Sequence, residues 1–293
     1  MPGGRRILRR MTPRNSRPVR PLPAPGDLEA FRTTVWDFYR SHRRTMPWRD
    51  IDDAYAVLVS EVMLQQTQVT RVEPLYLAWM ETFPTVDALA AAPLSLVLGR
   101  WQGLGYNRRA VALKRAAEAV VERYAGAVPC DVAALRELPG IGPTTAAAVV
   151  NYACKVATPF IETNVRAAVL HHFFADAEGV ADRDLMPLIE ATWDTADPRG
   201  WGYALMDYGT HLKRTLPNPS RRSRHHTKQS RYEGSRRQKR ARLLREVLAE
   251  PGLVADAYAA AAGLPVAVAI DVLEELAREG FVACEDERWS VPD

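Results

Sequence analysis

The stretch Leu135-Arg-Glu-Leu-Pro-Gly-Ile-Gly-Pro-Thr-Thr-Ala-Ala-Ala-Val149 constrains this chain most. It reads as a helix, a tight Pro-Gly-Ile-Gly hairpin and a second helix. Gly140 and Gly142 are free to take backbone angles that other residues avoid, so the chain can turn sharply and expose its own N–H groups. The second helix, expected to start at about Thr144, adds unpaired N–H groups and the positive end of its dipole. Such a turn grips a phosphate without any charged side chain. An ordinary αα-hairpin with a glycine turn has the same local sequence, so these residues alone leave packing and phosphate binding both open.

Charge is segregated along the 293 residues. The formal net charge of +4 divides into +7 on residues 1–25, +11 on residues 213–242 and −14 on the remainder. Basic segments on an acidic body suit a polyanionic partner, although a solvated basic loop has the same composition and is the preferred reading for the N-terminal tail. Hydrophobic residues make up 47% of the chain, enough for a sizeable core. No apolar run approaches the ~18 residues of a membrane span. The basic N-terminus lacks an apolar signal core, which points to a cytoplasmic, nucleoid-associated protein. Cys130, Cys154 and Cys284 have no metal-ligand spacing and are read as free thiols in a reducing compartment.

Four segments are expected. Residues 1–25 form an Arg- and Pro-rich disordered tail, in which Met11 is a possible alternative start. Residues 26–212 form a helical body, with apolar residues recurring at three and four (Phe31, Val35, Phe38; Leu58, Val62) and short Pro- or Gly-containing breaks. Residues 213–235 are irregular and basic. In residues 236–293, helices over Arg236–Leu248, Val254–Ala262 and Val266–Glu279 precede a hairpin of Phe281–Cys284 with Arg288–Val291, a winged-helix-like pattern. Its third helix carries Asp271, Glu274, Glu275 and Glu279, an acidic face that suits packing or protein contact better than DNA.

A second motif is Leu58-Val-Ser-Glu-Val-Met-Leu-Gln-Gln-Thr-Gln-Val69. On a helix, Glu61 stands beside Met63 and Leu64. A carboxyl in apolar surroundings has a raised pKa and can serve as an acid near neutral pH. Gln65, Gln66 and Gln68 offer paired donors and acceptors suited to base edges. Taken alone, an exposed Glu on an amphipathic helix accounts for the same letters.

The motifs occur in the order Met46-Pro-Trp-Arg49, Ser60–Val69, Gly103-Leu-Gly-Tyr-Asn-Arg-Arg-Ala110, Leu138-Pro-Gly-Ile-Gly142, Ile161-Glu-Thr-Asn-Val165 and Met206-Asp-Tyr-Gly209. Over residues 27–212 this order resembles the helix-hairpin-helix base-excision DNA glycosylases, and within them the MutY-type adenine glycosylases. The resemblance implies an all-α, two-lobed fold with the active site in the cleft between lobes. It implies a monomer acting on double-stranded DNA that carries a mismatch or lesion, by flipping one nucleotide into a pocket. Glu61 matches the general acid, Glu162 the carboxylate that stabilises the oxocarbenium-like sugar, and Asn164 a pocket asparagine beside it. Gln66 matches a wedge at the opposite base, flanked by Gln65, and Tyr106 an intercalating residue. Trp48, Arg49 and Thr144 match pocket positions. Pro139, Gly140, Gly142, Thr144 and Thr145 would hold the backbone phosphate. Bifunctional relatives carry a Schiff-base lysine where this chain has Thr144, which implies glycosylase action without lyase action.

Two departures stand out. Most family members close this domain with four cysteines around an iron–sulfur cluster; the corresponding places hold Lys213, Ser220, Ser223 and Gln229, none of which supplies a thiolate. The expectation is a protein with no cluster, no other metal and no other cofactor, in which Arg221, Arg222, Arg224 and Lys228 keep a DNA-contacting role. His225 and His226 are read as phosphate contacts or solvated rather than as zinc ligands. Glu162 stands where the family has Asp, one methylene shorter, and a misplacement of ~1 Å can cost ~100-fold in rate. The large domain that reads 8-oxoguanine in longer relatives is expected to be missing, and residues 236–293 are too short to replace it in kind. The expected reaction is removal of adenine opposite guanine or 8-oxoguanine, with thymine or uracil removal from mismatches, or lesion binding with feeble catalysis, as the alternatives.

Overall fold

The computed structural model describes residues 22–227 and 231–292. Residues 1–21, with Met11, and Lys228 and Gln229 lie outside the described residues. Helix α1 (Pro25–His42) leads through a loop to α2 (Ala54–Leu64), α3 (Val69–Thr82), α4 (Val86–Ala91), α5 (Leu94–Arg100) and α6 (Arg108–Tyr124). Helices α7 (Val132–Arg136) and α8 (Pro143–Ala153) flank the glycine hairpin, and α9 (Thr163–Phe173), α10 (Asp182–Thr192) and α11 (Pro198–Thr215) complete the body.

Two lobes follow from which faces are apolar. Helix α2 buries almost its whole circumference, from Tyr55 to Met63, and can only be a central helix. It starts where the Asp53 side chain accepts the Tyr55 and Ala56 N–H groups, and it packs against α3, α6 and α8. Helices α4, α5 and α7 close that lobe. The other lobe joins both ends of the body, α1 packing on α10 and α11, and α9 on α10 and α11.

The lobes meet along α8 and α11. Asn151 of α8 is fully buried and satisfied, donating to the Pro198 carbonyl at 2.8 Å and accepting from Trp193 Nε1 at 3.2 Å. Arg199 of α11 donates to the terminal carbonyls of α8, at Tyr152 and Ala153. Gly202 is the contact point, since a Cβ there would stand 2.8 Å from Asn151 Nδ2. A second tie runs from the loop before α2. Arg49, 4% exposed at its side chain, makes two 2.8 Å hydrogen bonds to the Asp207 carboxylate of α11, which is 1% exposed. Arg44 donates its backbone N–H and Nε to the same carboxylate. These donors hold the Asp207 carboxyl below the usual carboxylate range although burial opposes ionisation.

The hairpin differs from expectation in two details. Gly140 has φ +76° and its missing Cβ leaves room for Ala112 of α6, which an added Cβ would approach to 2.5 Å. Gly142 has φ −82°, an angle open to any residue, and nothing lies within 4 Å of where its Cβ would be. The sharp turn therefore rests on Gly140. Helix α8 starts one residue before Thr144, because Pro143 sits at its first position, where the missing N–H costs nothing.

The free-thiol reading is corrected for two of the three cysteines. Cys130, just before α7, and Cys154, at the end of α8, form a disulfide with Cα atoms 5.9 Å apart. The hairpin returns α8 beside the start of α7 and so brings together residues 24 apart. Cys284 is free and exposed.

The C-terminal unit comprises α12 (Arg236–Ala249), β1 (Leu253–Val254), α13 (Ala255–Ala262), α14 (Val266–Arg278), β2 (Ala283–Glu285) and β3 (Arg288–Ser290). The strands form an antiparallel sheet ordered β1-β3-β2, one strand more than the hairpin read from sequence. The acidic face of α14 is turned on basic neighbours. Asp271 and Glu275 pair with Arg236, Glu275 and Glu279 with Arg240, and Glu279 with Arg108 of α6. Hydrogen bonds from Arg108 and Arg240 pull the Glu279 carboxyl down to about 2. Among the described residues no single helix is long and apolar enough to cross a membrane.

Two outcomes are expected. Titration of the denatured, unreduced protein should count one thiol, rising to three after reduction, and three before reduction would remove the disulfide; Cys154→Ser should cost ~3 kcal/mol, the loop-closure value for a ring of this size. Asp207→Ala leaves Arg49 buried without its partner and should lower stability by ~3–5 kcal/mol in denaturant unfolding. Because the folded pKa of Asp207 is depressed, its contribution is present above about pH 4 and is lost as pH falls through the lowered value. A loss under ~1 kcal/mol in Asp207→Ala would show that the pair does not hold the lobes.

Candidate active site

Glu61 lies on the last full turn of α2, half-buried, in the lobe that carries the hairpin. Glu162 is the N-cap of α9 in the other lobe. Burial and then repulsion from Glu162 raise the Glu61 pKa to about 7, with Arg49 opposing, so the two carboxyls lie within electrostatic reach of one another. Tyr152 and Tyr203 lie within reach of the Glu61 charge. Each has its hydroxyl pKa raised by burial and by the charge of Glu61. Their rings stack at 4.4 Å, and the Arg49 guanidinium lies 4.5 Å over the Tyr203 ring. The Tyr152 hydroxyl is buried and has no hydrogen-bond partner among the described residues.

The extra methylene of Glu162 is absorbed by the cap. Its Oε1 accepts the N–H groups of Asn164 at 2.6 Å and Val165 at 2.7 Å, the usual job of a shorter Asp. Its Oε2 accepts from Asn164 Nδ2 at 3.1 Å. Asn164 is itself fixed, with its Oδ1 taking a hydrogen bond from Thr210 of α11 at 3.2 Å. Helix α11 comes this close only because residue 209 is Gly; a Cβ there would run into the Asn164 carbonyl. Burial raises the Glu162 pKa, while the cap N–H groups, Lys213 and Arg166 pull the other way.

Trp48 and Arg49 stand on the same loop with different surroundings. Trp48 is 4% exposed and packs edge-on to Tyr76 at 5.2 Å, a core position. Arg49 is held by Asp207 and projects its charge toward Glu61. Gln65 Nε2 donates to Thr145 Oγ1 at 3.2 Å, joining the end of α2 to the start of α8. Thr144 is exposed at the α8 N-terminus, where no side chain caps the helix. Pro139 and Gly140 line a cavity of about 220 Å³ together with Val62, Gln65, Arg108 and Arg109.

Arg109, to which the sequence reading gave no role, organises the other edge. Its Nη1 donates to the carbonyls of Val62, Met63 and Gln65, and its Nη2 to the Leu104 and Gly105 carbonyls and Thr67 Oγ1. Loops 65–67 and 104–106 are thereby tied side by side. Their tips, Gln66 with φ +56° and Tyr106 with φ +49°, both take left-handed backbone conformations. No local signal marks Arg109, because the α2 carbonyls it caps lie some 46 residues away in sequence.

One residue of the basic segment has a structural task. Arg222 Nη1 donates to the carbonyls of Leu170, Phe174 and Ala175 at the end of α9, so it caps a helix. Arg221 and Arg224 remain exposed. Ser220 donates to the Thr163 carbonyl at 3.2 Å, Ser223 accepts the His225 N–H at 3.0 Å, and residues 222–224 bond to Val180 through both of its backbone groups. With an ammonium at Lys213 and hydroxyls at Ser220 and Ser223, the donor set does not fit an iron–sulfur cluster.

Residues 59–191 match the HhH-GPD superfamily of base excision DNA repair proteins. The adenine DNA glycosylase of Mycolicibacterium smegmatis is 42% identical over 175 residues, 59% of this chain and 59% of the relative. The human adenine DNA glycosylase is 37% identical over 196 residues, 63% of this chain and 36% of the relative. The chain thus spans between about a third and three-fifths of the length of these relatives. Among solved structures, a thermostable thymine-DNA glycosylase aligns over 63% of this chain and 86% of its own with a TM-score of 0.58 and 25% identity. An endonuclease III trapped on DNA aligns over 66% and 87% with a TM-score of 0.53 at 18% identity, a likeness of fold. The residues that match the HhH-GPD superfamily of base excision DNA repair proteins, 59–191, hold Glu61, the glycine hairpin, Glu162 and Asn164.

Proposed function

We propose that the chain is a monofunctional DNA glycosylase that hydrolyses the N-glycosidic bond of adenine mispaired with 8-oxoguanine or guanine. The observation that carries this reading is the pair of carboxyls from separate lobes, Glu61 with its pKa raised to about 7 and Glu162 held by three hydrogen bonds. Protonated Glu61 donates to a ring nitrogen of the extruded adenine. The bond from C1′ to the base then breaks, its electron pair leaving with the base. The Glu162 carboxylate balances the positive charge that develops on the sugar, and Asn164 holds Oε2 of that carboxylate. Water adds to C1′, and its proton returns to Glu61. The uncapped N–H groups at Thr144 and Thr145 suit the DNA backbone phosphate. Lys213, Ser220 and Ser223 in place of thiolates favour a protein without a cluster, the loop being held by the Ser220 and Ser223 hydrogen bonds and by Arg222. Thr144 offers no amine for a Schiff base, so strand breaks require alkali.

Incubation with fluorescent duplexes carrying A:8-oxoguanine, A:G, T:G or U:G, followed by alkali, tests the reading. Scission is expected at the adenine-containing duplexes and only after alkali. Scission confined to T:G or U:G would move the assignment toward the thymine-DNA glycosylase it resembles at 25% identity. Binding with no scission would leave a lesion-binding protein. Glu61→Gln should lower single-turnover excision by ~100-fold or more while keeping DNA affinity. Because the acid must be protonated, the wild-type excision rate should fall about tenfold per pH unit above pH 7; a rate flat from pH 6 to 9 would assign the proton to another group.

A further inference from the structure

The C-terminal unit reaches one residue of the proposed DNA interface directly. Arg237, in the first turn of α12, donates from Nη1 to the Tyr106 hydroxyl at 2.5 Å. Its guanidinium carbon lies 5.3 Å from the Tyr106 ring centroid and 5.9 Å from that of Tyr232. As whole residues Tyr106 is 37% and Tyr232 52% exposed, and the Arg109 guanidinium carbon lies 5.6 Å from the Tyr106 ring centroid. Docking of the unit does not depend on this contact. Arg236 and Arg240, one turn apart on another face of α12, are engaged by α14, and Arg108 secures Glu279. Arg237 instead faces the loop that Arg109 ties to Gln66.

We propose that Tyr106, Arg237 and Tyr232 form one duplex-binding surface, through which the C-terminal unit grips damaged DNA beside the Gln66 and Tyr106 loop tips. This rests on the glycosylase reading of the main domain. The chemistry is that of nucleic-acid stacking. Exposed aromatic faces and a planar guanidinium accept unstacked bases, and the cation also attracts phosphate.

The test compares Arg237→Ala, Tyr232→Ala and a control, Arg245→Ala, in the full chain. Arg245 lies at the far end of α12, paired with Glu246. Fluorescence anisotropy reads binding to a duplex with 8-oxoguanine opposite a tetrahydrofuran abasic analogue, over a salt series. Arg237→Ala should weaken affinity by about tenfold and lower the salt slope by about one, while Arg245→Ala stays within about twofold of wild type. Unchanged affinity in Arg237→Ala, an equal loss in Arg245→Ala, or a wild type that binds no duplex would overturn the proposal. Should Arg237→Ala lower the melting temperature, Tyr232→Ala decides, a loss of affinity supporting the surface and no loss overturning it. Failure of the glycosylase reading shows separately, as a wild type that binds the abasic duplex but excises no base.

Discussion

The site depends on the buried ion pair between Arg49 and Asp207. The loop carrying Arg49 runs straight into α2, and Asp207 sits on α11 one turn from Gly202, where the lobes touch. The pair therefore sets how the lobe holding Glu61 sits against the lobe holding Glu162. It also places a fixed positive charge near Glu61. Without it, burial and Glu162 would push the Glu61 carboxyl higher still. One interaction thus ties the two lobes together and moderates the rise of the Glu61 pKa. Buried pairs often add little net stability, and here geometry is the gain.

The helical body was legible in the sequence because its signals are local. The apolar run of α2 and the order of the motifs lie on contiguous residues. What was missed depends on return paths. The Cys130–Cys154 disulfide exists because a hairpin brings the end of α8 back to the start of α7, and thiol spacing alone does not carry that. Arg222 was read with its basic neighbours as a phosphate contact, since charge segregation does not reveal which arginine lies behind a helix end. Arg109 was quoted inside a motif without a role for the same reason; its six acceptors come from two loops about 40 residues apart in sequence. Gly142 shows the opposite error, an assumed backbone need that its ordinary φ does not support.

The segment after α11 shows how a loop can be fastened without metal. Its anchors are individually modest, each neutral hydrogen bond contributing ~1 kcal/mol. They converge on α9, however. Ser220 takes the first carbonyl of the helix, and Arg222 takes carbonyls at its last turn and just beyond. The loop is thereby strapped along the helix whose N-cap is Glu162, so the residues that fasten it also steady the helix start that the Glu162 carboxylate caps.

The two carboxyls divide their work by environment. Both are withdrawn from water, which raises both pKa values. Glu162 is then supplied with two backbone N–H groups, the Asn164 amide and the nearby charges of Lys213 and Arg166, all of which favour the anion. Glu61 receives only Arg49 against the repulsion of Glu162. These surroundings favour the anion more at Glu162 than at Glu61. The helix cap that tolerates Glu in place of Asp thus also draws the Glu162 pKa down against burial.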